Sequence, residues 1–343
     1  PPLWKYNVKW TGQFAVGTDA LFVTDGDALA KALDAATGAK RWSHRTGGPI
    51  DRSPLVHDGV VYAGSSDHIL YALKAASGEV VWRFQTDGPI GATPAVEDKL
   101  LFVSSGDNSL YALDFAAAKL QWSAEIGPIQ YSSPAVANGI VVVGCSDNNV
   151  YALDAVTGKR RWSFTTGQYV AATPEIDQDV VYIGSSDGSL YALDLDSGKK
   201  LWAFATKASI DAKAAVANDS VYVASNDYSV YAIDAKSGDQ QWSFATGEMI
   251  HSSPVISGGV LYVGSNDNNL YALNINDGSL TWQFATGGHI ISPPGVLNGV
   301  VYVESDDGYV YALGSPAATP SSVALPSPKR TGTPSPDEPQ APR

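Results

Sequence analysis

The sequence predicts an all-β chain of many short antiparallel strands, and three in-phase markers carry that expectation. Tryptophans stand forty residues apart at Trp42, Trp82, Trp122, Trp162, Trp202, Trp242 and Trp282. A Tyr-Ala-Leu tripeptide keeps the same period from Tyr71, Tyr111, Tyr151, Tyr191, Tyr271 and Tyr311, with Tyr231-Ala232-Ile233 and Lys31-Ala32-Leu33 as variants. An aspartate recurs at Asp27, Asp67, Asp107, Asp147, Asp187, Asp227, Asp267 and Asp307. Eight units of one repeat follow, and the composition agrees: 17% charged residues, 33 Gly and 20 Pro punctuating short Val- and Tyr-rich runs.

Each unit reads as four strands. Between residues 130 and 166, Gln130–Val136 is strand A, Gly139–Gly144 strand B, Val150–Asp154 strand C and Arg160–Thr165 strand D. Ser146-Asp147-Asn148-Asn149 is the B–C turn, whose aspartate is expected to accept from the backbone N–H two residues on. Ala155-Val156-Thr157-Gly158 is the C–D turn, with Gly158 supplying a positive φ. Four antiparallel strands per forty residues make one propeller blade. The strand-D tryptophan is expected to wedge against the next blade, since one blade cannot bury both of its faces alone.

The predicted fold is therefore an eight-bladed β-propeller spanning residues 1–314. The last unit ends at its strand C, Val310-Tyr311-Ala312-Leu313, and the missing strand sits around Trp4, two residues short of the forty-residue spacing. The N-terminal strand should complete the last blade and remove the open edges. Residues 315–343 carry eight prolines and two large apolar residues, Val323 and Leu325, and are expected to be a disordered tail or linker.

Charge and cysteine content narrow the function. The net charge of −13 argues against a nucleic-acid partner. No run of apolar residues is long enough to span a membrane. Cys145 is the single cysteine, so no internal disulfide forms, and it is expected to be an inert thiol in place of a turn serine. The chain starts at Pro1-Pro2 without an initiator methionine or signal-like stretch, which suggests a processed product or a segment of a longer protein.

The string Tyr-Ala-Leu-Asp-x-x-Thr-Gly-x-x-x-Trp, intact from Tyr151 to Trp162, resembles the tryptophan-docking motif of PQQ-type propellers. Ser197 and Ser237 replace the threonine, Asp277 stands there in the seventh unit, and the third has Ala117-Ala118 for Thr-Gly. The resemblance implies three settings: PQQ-dependent dehydrogenases, an outer-membrane assembly lipoprotein, and the repeat region of actinobacterial Ser/Thr protein kinases. Dehydrogenases of this type resemble one another in an adjacent-cysteine disulfide, a tryptophan floor and Glu, Asn and Asp metal ligands. This chain has one cysteine, and eight of its nine tryptophans belong to the repeat.

Departures from the repeat are the candidates for function, because the fold does not account for them. The strand-A consensus is small, as in Ala92-Thr93-Pro94 and Ser132-Ser133-Pro134. Against it stand Asp51, Arg52, Tyr131, Glu175, Asp211, Lys213 and His251, expected near the axis with neither Arg52 nor Lys213 between blades. On the face shared by the D–A and B–C loops, Trp10, His68, Tyr169 and His289 join them. The alternative is that these side chains merely fill a water-lined channel. The eight turn aspartates lie in separate blades and so cannot converge on calcium. The histidines lack zinc-ligand spacing. No catalytic residue, metal or cofactor is assigned.

The expected function is a non-catalytic propeller, taken as a monomeric domain, that binds a protein or a small polar ligand at one face. It would be the sensory or docking region of a larger bacterial protein such as a Ser/Thr kinase. The alternatives are a free-standing assembly scaffold and a degenerate PQQ-dependent dehydrogenase. The compartment is left open.

Overall fold

A computed structural model describes residues 1–8, 13–129 and 132–314. Within them the chain forms eight four-stranded antiparallel sheets and no helix. Blades 1–7 use consecutive strands and span residues 14–45, 55–85, 95–125, 135–165, 175–205, 215–245 and 255–285. Blade 8 takes its three inner strands from Gly295–Leu297, Val300–Ser305 and Tyr309–Gly314, and its outer strand from Trp4–Asn7. The innermost strands of blades 8 and 1 lie side by side, so the ring is closed by the N-terminus, as the sequence predicts. The tail at 315–343 lies outside the described residues.

Strand A is shorter than expected. In blade 4 it runs only from Ala135 to Ala137, whereas strand D keeps its expected bounds, Arg160–Thr165. Blade 6 has the same three-residue strand, Ala215–Ala217, with Ala214 in the place of Pro134, so the proline is not the cause. Ser132 and Ser133 lie outside the strand, and the Ser132 hydroxyl accepts instead from the Gly144 N–H of strand B at 3.0 Å.

The hydrophobic core lies between blades rather than within one. A typical cluster joins Phe102, Leu110 and Ala112 of blade 3 to Val141, Val143 and Tyr151 of blade 4. One alanine–tryptophan register is repeated around the ring, from Ala32↔Trp42 to Ala272↔Trp282, and Ala312↔Trp4 is its eighth member. Ala15 pairs with Phe22 as Leu55 pairs with Tyr62, so the two-residue deficit falls between Trp4 and Ala15. The closing strand is thus a true strand D, displaced in sequence but not in register.

Seven of these tryptophans then reach the next blade. The indole N–H of Trp4 donates to the Ala35 carbonyl at 3.0 Å, that of Trp42 to Ala75 at 2.8 Å, and that of Trp162 to Leu195 at 2.8 Å. The ring lies flat over the turn glycine: a Cβ built on Gly78, whose φ is +74°, would meet Trp42 at 2.6 Å. The third unit breaks this rule. Ala118 holds φ at +52° where blades 1, 2 and 4–7 use glycine.

Two outcomes follow from these contacts. Deleting residues 1–8 removes the outer strand of blade 8 and the Trp4–Ala35 bond; the melting temperature should fall by many degrees and the protein should aggregate through exposed edges. An unchanged melting temperature would contradict closure. At the turn, left-handed backbone costs a non-glycine residue about 1–2 kcal/mol, more than the ~0.5–1 kcal/mol of added chain entropy glycine brings. Ala118→Gly should therefore stabilise by about 0.5–1 kcal/mol, and Gly78→Ala should destabilise by about 1–2 kcal/mol or more, read by urea denaturation.

Candidate functional site

The D–A and B–C loops are pinned together on one face by a repeated aspartate. In blade 2, Asp67 Oδ1 accepts from the Ile69 N–H at 3.0 Å. Its Oδ2 accepts from the Tyr71 hydroxyl at 2.6 Å and from the Gly47 N–H of the entering loop at 2.7 Å. The same Tyr–Asp bond recurs in blades 3–8, for instance Tyr151–Asp147 at 2.6 Å and Tyr311–Asp307 at 2.7 Å. The turn reading of these aspartates therefore holds, with one exception. In blade 1 the carboxylate that makes the turn bonds is Asp25, not Asp27, and it is buried against the Lys31 ammonium. Lys31 stands where other blades have the tyrosine.

Two rings of residues face the axis beneath these loops. The deeper ring is Gln13, Ser53, Thr93, Ser133, Thr173, Lys213, Ser253 and Pro293, forty residues apart. Its hydroxyls knit neighbouring blades: Ser133 Oγ accepts from the Thr93 N–H at 2.9 Å, and Ser253 Oγ from the Lys213 N–H at 3.0 Å. Gln13 Oε1 does the same for the N–H and hydroxyl of Ser53. The shallower ring shows no common chemistry: among the described residues it is Asp51, Gly91, Ala171, Asp211, His251 and Ile291. Five of the eight deeper residues are Ser or Thr, so a layer of largely shared chemistry supports a variable one.

The axis opens into a cavity of about 800 Å³, lined by Arg52, Glu175, Asp211, Lys213 and His251 among others. A smaller space of about 300 Å³ forms its mouth, where Tyr169 and Ile291 join Arg52, Asp211 and His251. Six of the predicted candidates are thereby brought together. Asp51 turns aside and accepts from the Ser66 hydroxyl at 2.8 Å. His68 is a turn residue at φ +71°, its carbonyl accepting from Thr86. His289 sits at the blade 8 rim, Nδ1 3.8 Å from Asp306 Oδ2. Trp10 and Tyr131 lie outside the described residues.

The charges at the axis are not equivalent. Lys213 forms an ion pair with Glu175 at 2.5 Å. Glu175 belongs to blade 5 and Lys213 leads into blade 6, so the expectation that Lys213 does not lie between blades is corrected: the small residues around the axis let the lysine reach across. Asp211 is braced by neutral donors instead. Asn226 Nδ2 donates to it at 2.8 Å, Ser209 Oγ at 3.2 Å and Ser186 Oγ at 3.4 Å. Cys145 is packed between blades 3 and 4, and burial, then the nearby Asp147, pushes its thiol up to about 12. It is inert as a nucleophile at neutral pH.

Gln13 and Ile291 line the mouth but escaped the sequence reading. The forty-residue register contained the signal, since Gln13 breaks a run of Ser and Thr and Ile291 stands in the line of Asp211 and His251. The exposed apolar side chains Tyr228 and Met249 share this face with Tyr169 and Ile291, all of them in blades 5–8 or the loops leading into those blades.

This is a closed repeat propeller with a polar axial mouth. The sequence matches the PQQ-like repeat family described as outer membrane protein assembly factor BamB, over residues 2–90, 68–243 and 229–317, and the chain belongs to that family. Among solved structures, BamB from Moraxella catarrhalis is similar with 21% identity and a TM-score of 0.79, over 92% of this chain and 98% of its own. The computationally designed Ika8 protein gives a TM-score of 0.81 at 16% identity, over 90% and 98%. Quinohemoprotein alcohol dehydrogenase from Comamonas testosteroni gives 0.75 at 16%, over 93% and 77%. These likenesses show a shared fold. No curated protein matches the sequence.

The loop anchors set a pH window. Burial and the Asp107 hydrogen bond push Tyr111 up to about 12, and the six equivalent tyrosines shift the same way. Their contribution is present below the unfolded value near 10 and is lost as pH rises toward 12. Hydrogen bonds from Arg41 and Thr37 hold Asp34 at about 2, and Arg161 and Thr157 do so for Asp154. Those contributions are present above the unfolded value near 4 and are lost as pH falls toward 2. His44, half-buried against Tyr71 in a place where five other blades carry phenylalanine, is lowered by burial and by Arg83. Its contribution is lost as pH falls below about 6.5. The melting temperature should be flat from about pH 7 to 9 and fall on both sides, and His44→Phe should extend the plateau to about pH 5. A wild-type midpoint unchanged at pH 5 would contradict the role of His44.

Proposed function

We propose that the chain is a non-catalytic recognition propeller, engaging a protein partner or a small polar ligand at the mouth face. The observation that carries this reading is the pair of axial rings. The hydroxyl ring has a structural task in joining blades, whereas the ring above it differs from blade to blade and contributes Asp211, His251 and Ile291 to an open cavity. Residues that vary over a constant scaffold, at the end of a cavity, suit selective binding.

The quinone site of the dehydrogenases does not fit the residues present. A vicinal disulfide needs two cysteines, and the single one is buried between blades. Seven described tryptophans donate to a neighbouring blade's backbone, which leaves them no freedom to floor a cofactor. Glu175, an acid lining the channel, is paired with Lys213. The family match and the Moraxella protein favour a docking role in outer-membrane protein assembly over the sensory region of a kinase, which rests on motif resemblance alone.

Two measurements test the reading. Incubated with PQQ and calcium, the protein should show no dye-linked oxidation of alcohols or sugars; saturable turnover abolished by a chelator would overturn it. A photo-crosslinking residue at Met249 should give a defined adduct in the native host, and one at Leu201 on the outer wall should give none. Equal labelling from both positions would contradict a site at the mouth.

A further inference from the structure

We propose that the half of the mouth face built by blades 5–8 docks a basic segment of a partner protein, one that carries apolar side chains among its lysines or arginines. The inference rests on the binding reading above and names the chemistry of the partner. Its basis is that exposed apolar side chains and carboxylates stand next to each other there, on loops that are bonded together.

The centre of the surface is one such pair of loops. Tyr228, in the B–C turn of blade 6, and Met249, in the loop entering blade 7, are 46% and 40% exposed. The Tyr228 carbonyl accepts from the Thr246 N–H at 2.8 Å and from the Thr246 hydroxyl at 3.0 Å, which joins the turn directly to the loop that carries Met249. Asp227 precedes Tyr228, and Glu248 precedes Met249. Tyr169 and Ile291 extend the exposed apolar surface to the entries of blades 5 and 8. Large apolar side chains that solvent reaches, set among polar ones, mark interaction surfaces, and tyrosine and methionine are enriched in them.

The fold does not account for Tyr228. Its φ is +75°, and at the same turn position Asn108, Asn148 and Asn268 stand in three other blades and Gly188 and Gly308 in two. A bulky residue is disfavoured in left-handed backbone, and strain of this kind is retained where the side chain has a task.

The charge names the partner. The four turn aspartates of these blades, Asp187, Asp227, Asp267 and Asp307, accept from tyrosine hydroxyls and backbone N–H groups, which hold a carboxylate without cancelling its charge. Asp211, Glu248 and Asp306 add three more acids. The loops and turns of this half contain two lysines and no arginine, and one of the two, Lys213, is paired with Glu175 in the channel. Such a surface attracts a cationic segment and repels an acidic one, a second copy presenting the same face included.

The test is fluorescence anisotropy of labelled synthetic peptides titrated with the full chain: one of lysine and leucine, one of lysine and glycine, and one of glutamate and leucine. The lysine–leucine peptide should bind, and more weakly as salt is raised. The lysine–glycine peptide should bind about tenfold more weakly, and the glutamate–leucine peptide not at all. Tyr228→Asn should weaken binding about tenfold while keeping or raising the melting temperature, because asparagine suits the turn. Glu248→Gln with Asp306→Asn should weaken it severalfold, whereas Asp219→Asn with Asp239→Asn, at the opposite end of blade 6, should leave it unchanged. No binding of the lysine–leucine peptide, equal binding of the lysine–glycine peptide, or equal losses from the two charge pairs would overturn the proposal. Preferential binding of phosphatidylglycerol vesicles, or self-association of the chain that Met249→Ser abolishes, would assign the surface to a membrane or to a second copy and overturn it too. If the peptides fail while crosslinking from Met249 persists, the partner's charge class is wrong and the mouth is still a binding face.

Discussion

The structure depends on one contact made again and again: an indole ring laid over the turn glycine of the next blade, with its N–H on that blade's carbonyl. A four-stranded blade of about thirty residues buries too little apolar area to stand alone. Its outer strand also presents an unpaired edge. The tryptophan answers the first difficulty by making each blade's core the property of two blades. Closure answers part of the second, because Trp4 enters the same register as every other strand-D tryptophan although it lies at the far end of the chain.

That interlocking frees the axis from bearing the fold. Stability is concentrated at mid-radius, in clusters such as Phe102–Val141–Tyr151, while the axial residues pack around a cavity. The Lys213–Glu175 pair illustrates the division. Both partners are partly exposed, and such a pair contributes about 0–1 kcal/mol. Its consequence is electrostatic rather than structural: it pairs one positive with one negative charge in the channel, whereas Asp211 is held by neutral donors.

Much of the fold was legible because repetition multiplies the signal. Tryptophan, tyrosine and aspartate are each explained by a contact that occurs in nearly every blade, so their spacing alone gave blade number, strand order and closure. Features that occur once were harder to read. The exchange of Tyr–Asp for Lys31–Asp25 in blade 1 was visible as a broken marker, but the move of the turn carboxylate from Asp27 to Asp25 depends on side-chain direction. The shortened strand A was hidden because the apolar pattern does not mark where backbone pairing stops.

The site was legible only as a list of exceptions. The forty-residue register placed Asp51, Asp211 and His251 at one position near the axis, with Arg52 one residue on, but it did not tell which of these side chains line the mouth. Positions in the shallow ring point either into the mouth or back to the B–C turn. Asp51 found a hydroxyl in Ser66 and turned back, whereas the mouth remained lined by Asp211, which kept its own turn donors as well. The two aspartates share a repeat position and lie on opposite sides of the ring, so an evenly built propeller would treat them alike. Blade 2 has Arg52 beside its aspartate and blade 6 has Ala212. The B–C turns differ too, with Ser66 in blade 2 and Asn226 in blade 6, and these exchanges break the pseudo-symmetry of a repetitive scaffold.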